Sequence, residues 1–294
     1  MKFLNENLPY ILAGISVGGQ YALIAIGYTM VYGILRLINF AHGDIFMVAG
    51  LMMVYLSASM PLYAAIPLVL ALTVLIGFVI ERVAYKPLRS APRMSIMISA
   101  IGVSYLLQNM ALYITGGLAK QYPPIPWISD IINIGTATTK RVTVITPVLT
   151  IILVVALVML IKYTKIGMAM RAVSRDFETA RLMGIKINSV ISTTFIIGSL
   201  LAGVGSLLYF SNYTGVVPTA GAMPGLKAFV AAVFGGIGSI PGAVVGAFII
   251  GICESVIKGA GWTTFSDAFT FALLIVILVA KPTGLFGEKT TDKV

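Results

Sequence analysis

Val142-Thr-Val-Ile-Thr-Pro-Val-Leu-Thr-Ile-Ile-Leu-Val-Val-Ala-Leu-Val-Met-Leu-Ile161 holds no charged residue, and Arg141 and Lys162 close it at either end. A bilayer core is crossed by about 20 apolar helical residues. A transmembrane barrel is built instead from ~10-residue segments of alternating polarity, and within Leu153–Ile161 there is no polar residue to alternate with. The stretch therefore reads as a membrane-spanning helix.

The rest of the chain repeats the pattern. Further uncharged windows run over 7–35, 45–80, 94–119, 187–226 and 228–253, and a last one, 259–280, is broken only by Asp267. Apolar residues make up 59% of the 294-residue chain and charged residues 10%. A soluble domain carries about 25% charged residues, so a soluble globular enzyme is excluded, and disordered segments are polar and charged. Pro61, after Ser57 and Ser59, divides the second window into spans near 41–56 and 62–80. Another span is expected near 95–116, and Pro218 and Pro224 end one near 188–210. Gly235, Gly236, Gly238 and Gly242 surround Pro241, and each Gly costs about 1 kcal/mol and Pro about 3 in a helix interior. Two short helices, 227–234 and 243–257, are expected to flank an irregular turn there, as a broken helix or a re-entrant hairpin. The expected fold is all-α: one polytopic transmembrane domain over 1–294 with about eight membrane segments.

Lys and Arg are biased toward cytoplasmic loops. With the loop after Ile80 inside, Arg36, Arg82, Lys86, Arg89, Arg93, Lys162, Lys165, Arg171, Arg175, Arg181, Lys186, Lys281, Lys289 and Lys293 fall inside. Lys2, Lys120, Lys140, Arg141, Lys227 and Lys258 fall outside, as does the N-terminus. The net charge of +10 thus reflects topology and attraction to the inner leaflet, and no nucleic-acid partner is expected. The stretch from Leu8 to Leu35 is longer than the 7–15-residue core of a signal peptide and reads as a retained first span. Cys253 is the single cysteine and His42 the single histidine, so neither an internal disulfide nor a Cys- or His-rich metal site is expected.

Two loops stand out. The external one, 120–141, contains Tyr122, Pro123, Pro124, Pro126 and Trp127, a stiff segment with an interfacial aromatic. The internal one, 162–188, is the longest cytoplasmic segment. In it Ser174 reads as an N-cap, Asp176 and Glu178 as first-turn acids, Arg181 as a last-turn base and Gly184 as the left-handed residue closing a helix. Val173, Phe177 and Ala180 recur at i, i+4 and i+7, giving a helix over 174–184 one apolar face. Two uses stay equally open on the residues alone: docking into a groove of another protein, or lying on lipid headgroups.

Asn39-Phe-Ala-His42-Gly-Asp44 stands at the start of the second span. Asn39 as cap and Asp44 as an acid at a helix N-terminus account for it without chemistry; a gate or proton relay is the alternative. Gln108 and Asn109 are adjacent amides in mid-span, about 100° apart on a helix, so at least one should face protein or a wet cavity. Gln20 poses the same choice between interhelical glue and a path lining. Glu254 reads as snorkelling or paired with Lys258 at i+4. Small residues at four-residue spacing (Gly14 and Gly18; Gly198, Ala202 and Ser206; Gly238, Gly242 and Gly246) predict close helix contacts. Ile38–Gly50 and Ile237–Gly251 both show a break before a Gly/Ala-rich helix, for which chance is the preferred explanation over an internal repeat.

No Gly is followed by Lys anywhere in the sequence, so a Gly-x-x-x-x-Gly-Lys-Ser/Thr phosphate loop is impossible. Glu81, Asp44, Glu254 and Asp267 all fall near expected span ends, which weakens a proton- or ion-driven carrier. Energy for active transport is expected from another subunit.

Asn39-Phe-Ala-His-Gly-Asp44, Arg171-Ala-x-x-x-Asp176 followed by Ala180-x-x-x-Gly184-Ile, and Phe234-Gly-Gly-Ile-Gly-Ser-x-x-Gly-Ala243 with Gly246 occur in that order. Together they resemble the LivH-type permeases of high-affinity branched-chain amino acid ABC importers, across essentially the whole chain. The resemblance implies an inner-membrane subunit of a bacterial or archaeal cell, itself not an enzyme and binding no cofactor. Its implied partners are a second, LivM-type permease, two cytoplasmic ATPases that carry ATP and magnesium, and a periplasmic amino-acid-binding protein. It also implies that residues 174–184 are the coupling helix, with Arg175, Phe177 and Arg181 docking on the ATPase. A ribose-type sugar permease is the competitor within the ATP-driven class; a standalone secondary carrier or channel is the competitor outside it.

Overall fold

The computed structural model describes residues 2–89, 91–134 and 137–287; Lys289 and Lys293, assigned above to the inner side, lie outside the described residues. Eight helices are long and apolar enough to cross a membrane. They lie within α1 (Lys2–Leu35), α2 (His42–Ser59), α3 (Leu62–Ile80, continued by a wide turn Glu81–Tyr85), α4 (Arg93–Thr115), α5 (Arg141–Tyr163), α8 (Ile187–Asn212), α10 (Ile240–Gly259) and α11 (Ser266–Ala280). Between them stand the short α6 (Lys165–Arg175), α7 (Phe177–Leu182) and α9 (Ala222–Gly235).

Helix α1 is the axis of the bundle, and Ala22–Ile26 are wholly buried. Its small residues explain this. A Cβ on Gly14 would come within 2.7 Å of the Ile252 Cα, and one on Gly18 within 2.7 Å of the Phe248 Cα. Gly33 lies beside Gly238 and Gly259 against Tyr10, so α10 runs antiparallel to α1 along its length. Gly242 and Gly246 in turn admit Gly235 and Ala231 of α9, and Gly198 of α8 lies against Gly27. The small-residue spacing thus marks close contacts, except that a Cβ on Gly238 would meet nothing within 4 Å, and this glycine serves the turn with φ +99°. Gly18→Ala should destabilise the fold by about 1–3 kcal/mol, the usual range for overpacking against a backbone that cannot move aside. Thermal unfolding in detergent measures it.

The two ends of the bundle are distinct. At one, the Arg89 guanidinium bridges Glu81 and the Asn188 side chain, tying the 81–92 loop to the start of α8. At the other, β1 (Lys120–Gln121) pairs antiparallel with β4 (Gly215–Val216), and Lys140 Nζ donates to the carbonyls of Ser211 and Asn212. Strands β2 (Ile131–Ile134) and β3 (Ala137–Lys140) form a hairpin in the same loop. These short ladders are too brief to leave an alternating pattern in the sequence. Tyr122 of that loop is buried against Phe210, while Trp127 is exposed beneath the Arg141 guanidinium.

The Gly-rich break is narrower than the residue counts suggested. Helix α9 begins at Ala222 rather than near 227, because Pro224 sits in its first turn, where no backbone donor is needed. Helix α10 begins at Ile240 rather than 243, because Ser239 caps it and Pro241 occupies its first turn. The turn itself is Gly236–Ser239, with Gly236 and Gly238 both at positive φ. The C-terminal segment closes the open end of α9: the N–H groups of Leu285 and Phe286 donate to the carbonyls of Phe234 and Gly235. The chain enters this region from the β4 end and reaches the turn beside Gly33 at the other end, so 213–235 is a broken span and not a re-entrant hairpin.

Candidate functional site

Helix α1 stops at Leu35, and Arg36 takes a left-handed φ of 55°. The chain then climbs without regular structure, and α2 begins with His42 level with Gly27 of α1, whose missing Cβ makes room for the imidazole. The first turn of α2 therefore lies against the middle of α4. Asp44 Oδ2 accepts from the Ser104 hydroxyl at 2.5 Å and Oδ1 from the Gln108 amide at 3.0 Å, and Gln108 also donates to Ser104 at 3.2 Å. Ser104 is the twelfth residue of a 23-residue helix. Asp44 is thus in the first turn, as its position in the sequence implies, yet far from the edge of the bundle where a count along the chain placed it.

A second helix starts at the same place from the other side. Residues 213–221 descend from the β1–β4 ladder, and Gly221, just before α9, and Gly225 within it pack on Gly43. A Cβ on Gly43 would lie 2.7 Å from the Gly221 carbonyl and 3.0 Å from the Gly225 Cα. Helix α2 runs from this meeting point to one end of the bundle and α9 to the other. Oppositely directed broken helices whose N-termini meet inside a bundle are the architecture of many transporter sites. The likeness between 38–50 and 237–251, for which chance was preferred, has no part in this junction; the helix that meets the start of α2 is α9.

Between these helices lies a cavity of about 360 Å³, within the range of small-molecule sites. Gly43, Asp44, Gly221 and Gly225 form its floor, Ser104 and Gln108 its polar wall, and Tyr28, Ile101, Leu226 and Phe229 much of the rest. Of the six path candidates, Asp44 and Gln108 are brought together here. Asn39 is not a helix cap, since no side chain caps α2 and its Oδ1 accepts instead from the Tyr85 hydroxyl at 2.8 Å. His42 is buried edge-on to Tyr28, with no hydrogen-bond partner at Nε2. Gln20 lies between α1 and α8, its amide 3.5 Å from the Leu208 carbonyl. Asn109 is exposed and donates to the Tyr105 carbonyl of its own helix. Ser104 was missed, although a polar residue four positions before Gln108 marks the same helix face.

The internal loop differs from the single helix expected over 174–184. Asp176 is extended at φ −155°, and its carboxylate accepts from the N–H groups of Glu178 and Thr179, so Asp176 rather than Ser174 is the cap. Ser174 lies in the last turn of α6 and donates to the Arg171 carbonyl. Thr179, through its hydroxyl at 2.5 Å and its N–H, holds the Asp176 carboxyl below the usual carboxylate range. The break also splits the expected apolar face: Val173 and Ala180 are buried, whereas Phe177 points outward. Gly184 closes α7 at φ +81°, with the Ile185 N–H reaching the Ala180 carbonyl. Phe177, Leu182 and Met183, with Arg175 and Arg181, form an exposed patch at the Arg89 end of the bundle. Leu182 and Met183 were not expected there.

Glu254 does not snorkel. It is buried, accepting from Lys258 at 2.5 Å as expected, but also from Lys227 at 2.7 Å and the Tyr21 hydroxyl at 3.0 Å. Lys227 further pairs with Asp267 at 2.6 Å. Lys227 is therefore not a loop charge but a buried member of α9.

Residues 10–278 match the family described as "Branched-chain amino acid transport system / permease component". The chain is 39% identical to the high-affinity branched-chain amino acid transport system permease protein LivH of Salmonella typhimurium, covering 99% of this chain and all of that one. It is 37% identical to the permease BraD of Pseudomonas aeruginosa, with both chains covered in full. Likeness to the ribose import permease RbsC of Haemophilus influenzae is lower, 26% identity over 94% of this chain and 85% of that one.

Proposed function

The chain belongs to the branched-chain amino acid transport permease family, and from that premise we propose how it works as one subunit of a larger importer. It is a multi-pass inner-membrane permease of a branched-chain amino acid ABC transport system, not an enzyme in its own right. The proposed partners are a second, LivM-type permease, two cytoplasmic ATPases and a periplasmic binding protein that delivers the solute. The sequence has no Gly-Lys pair, so hydrolysis of ATP, with its magnesium, falls to the ATPases.

The observation that carries the path is the meeting of α2 and α9 over one cavity. Solute released by the binding protein would enter this cavity, and Asp44 and Gln108 would line its route. The 165–184 segment would rest on an ATPase at the Arg89 end, which the excess of Lys and Arg makes cytoplasmic. Supporting that use is its exposed Phe177, Leu182 and Met183 beside Arg175 and Arg181, apolar groups set among bases as in a helix-in-groove contact. Closure of the ATPases around ATP would push α6 and α7, and with them the ends of α5 and α8.

Co-expression with candidate ATPases and a LivM-type permease tests the assembly. A stable complex is expected, whose ATP hydrolysis in liposomes rises when leucine-loaded binding protein is added. Purified single chain that concentrates leucine without any ATPase would overturn the reading.

A further inference from the structure

Among the described residues three carboxylates are almost wholly buried: Asp44, Glu81 and Glu254, each at 2% exposure or less. Two of them have cationic partners. Glu81 pairs with Arg89, and Glu254 with Lys227 and Lys258. Asp44 has none among the described residues. Its hydrogen bonds come from neutral donors alone, the Ser104 hydroxyl and the Gln108 amide. A buried carboxylate without a counter-charge is unfavourable even when hydrogen-bonded. The dipole of α2, in whose first turn Asp44 stands, offsets only part of this.

Asp44 also differs from the other two in where it sits. Glu81 and Glu254 are enclosed by helices, whereas Asp44 lines the cavity between α2, α4 and α9 and is the only Asp or Glu among the described residues that does so. Among the described residues no Lys, Arg or His lines that cavity. Much of the remaining lining is apolar, with Ile101, Leu226 and Phe229. The space thus presents a negative charge together with apolar surface suited to an aliphatic chain.

We propose that Asp44 is the ammonium-recognition residue of this permease: the carboxylate receives the α-ammonium group of the amino acid in transit, with the aliphatic side chain toward Ile101, Leu226 and Phe229. This rests on the transport reading above and adds to it the group that recognises the solute inside the membrane. The arriving cation supplies the missing counter-charge, and Ser104 and Gln108 release Asp44 to it. Because those two are the side-chain hydrogen bonds from α4 to α2 at this level, occupation of the site also loosens α4 from α2.

The complete importer in liposomes, with its ATPases and binding protein, separates the two claims. Wild-type leucine uptake that ignores ATP would remove the transport reading whatever Asp44 does. With that uptake in hand, Asp44→Asn is expected to lower the leucine moved per ATP hydrolysed at least tenfold; a ratio within twofold of wild type overturns the proposal. A second measurement leaves Asp44 in place. In a Cys253→Ala background, Ser104→Cys is labelled with a small methanethiosulfonate, with leucine or 4-methylpentanoate present. Leucine should slow labelling at least fivefold and the acid, which lacks the amine, should not. Equal protection by both, or by neither, overturns it as well.

Discussion

Glu254→Ala is expected to destabilise the chain by about 3 kcal/mol, at the lower end of the range for breaking a buried ion pair by removing one partner. Glu254 holds Lys227, Lys258 and the Tyr21 hydroxyl at once. Lys258 is half exposed and finds water when its partner goes. Lys227 is at 5% exposure and does not; it keeps only Asp267, itself well exposed. The remaining charge stays buried and under-compensated, which sets the size of the effect. Because Asp267 still pairs with Lys227, the loss should fall short of 5 kcal/mol. Glu254→Gln, which can still accept from Tyr21 and from one lysine, should cost less.

The double replacement Lys227→Met with Glu254→Leu is the sharper comparison. Exchanging a buried pair for apolar residues of similar volume is often neutral or stabilising. It should therefore unfold at a higher temperature than Glu254→Ala, despite carrying one more substitution. Thermal unfolding in detergent checks all three; Glu254→Ala melting with the wild type would show that the network holds nothing. The consequence reaches the cavity, since Lys227 lies one turn from Gly221–Gly225 and anchors the helix whose start forms the cavity floor.

The eight spans were legible because a charge-free window is a property of the chain in one dimension. The Gly236–Ser239 turn was legible for the same reason, its glycines and proline being adjacent. Depth was not. Asp44 stands two residues into a helix, which by counting is an edge; it reaches the middle of α4 only because 36–41 climbs back into the bundle, and a loop's length does not give its direction. Asn39 read as a cap because Tyr85, which takes its side chain, lies 46 residues away. Lys227 was expected at the outer end of a short helix 227–234, and not inside the bundle, because Pro224 was taken as the end of one span instead of the start of another. Within the internal loop a single helix over 174–184 was expected where two meet, because Asp176 competes with Ser174 as cap. Asp176 has two backbone N–H groups within reach where Ser174 turns back onto α6, and the break this makes turns Phe177 away from Val173 and Ala180.

Phe177→Asp is expected to reduce ATP-coupled leucine uptake to background while leaving insertion in the membrane unchanged. Phe177 is the first residue of α7 and is exposed at 37%. An aspartate at a helix's first position is favoured by the dipole, and Asp176 continues to cap the helix. The substitution should therefore spare the fold of 165–184, and a loss of uptake points to what the loop touches. Charge placed in an apolar contact must be desolvated when the partner closes on it, and an exposed pairing with Arg181 one turn on offsets only a small part of that cost. The two uses of this loop then part company. If it rests on an ATPase, the ATPases should no longer co-purify with the permease, and binding-protein stimulation of hydrolysis should vanish together with uptake. If it lies on headgroups, the complex should stay assembled and stimulated. Uptake at the wild-type rate would remove the docking role altogether, whichever surface the loop lies against.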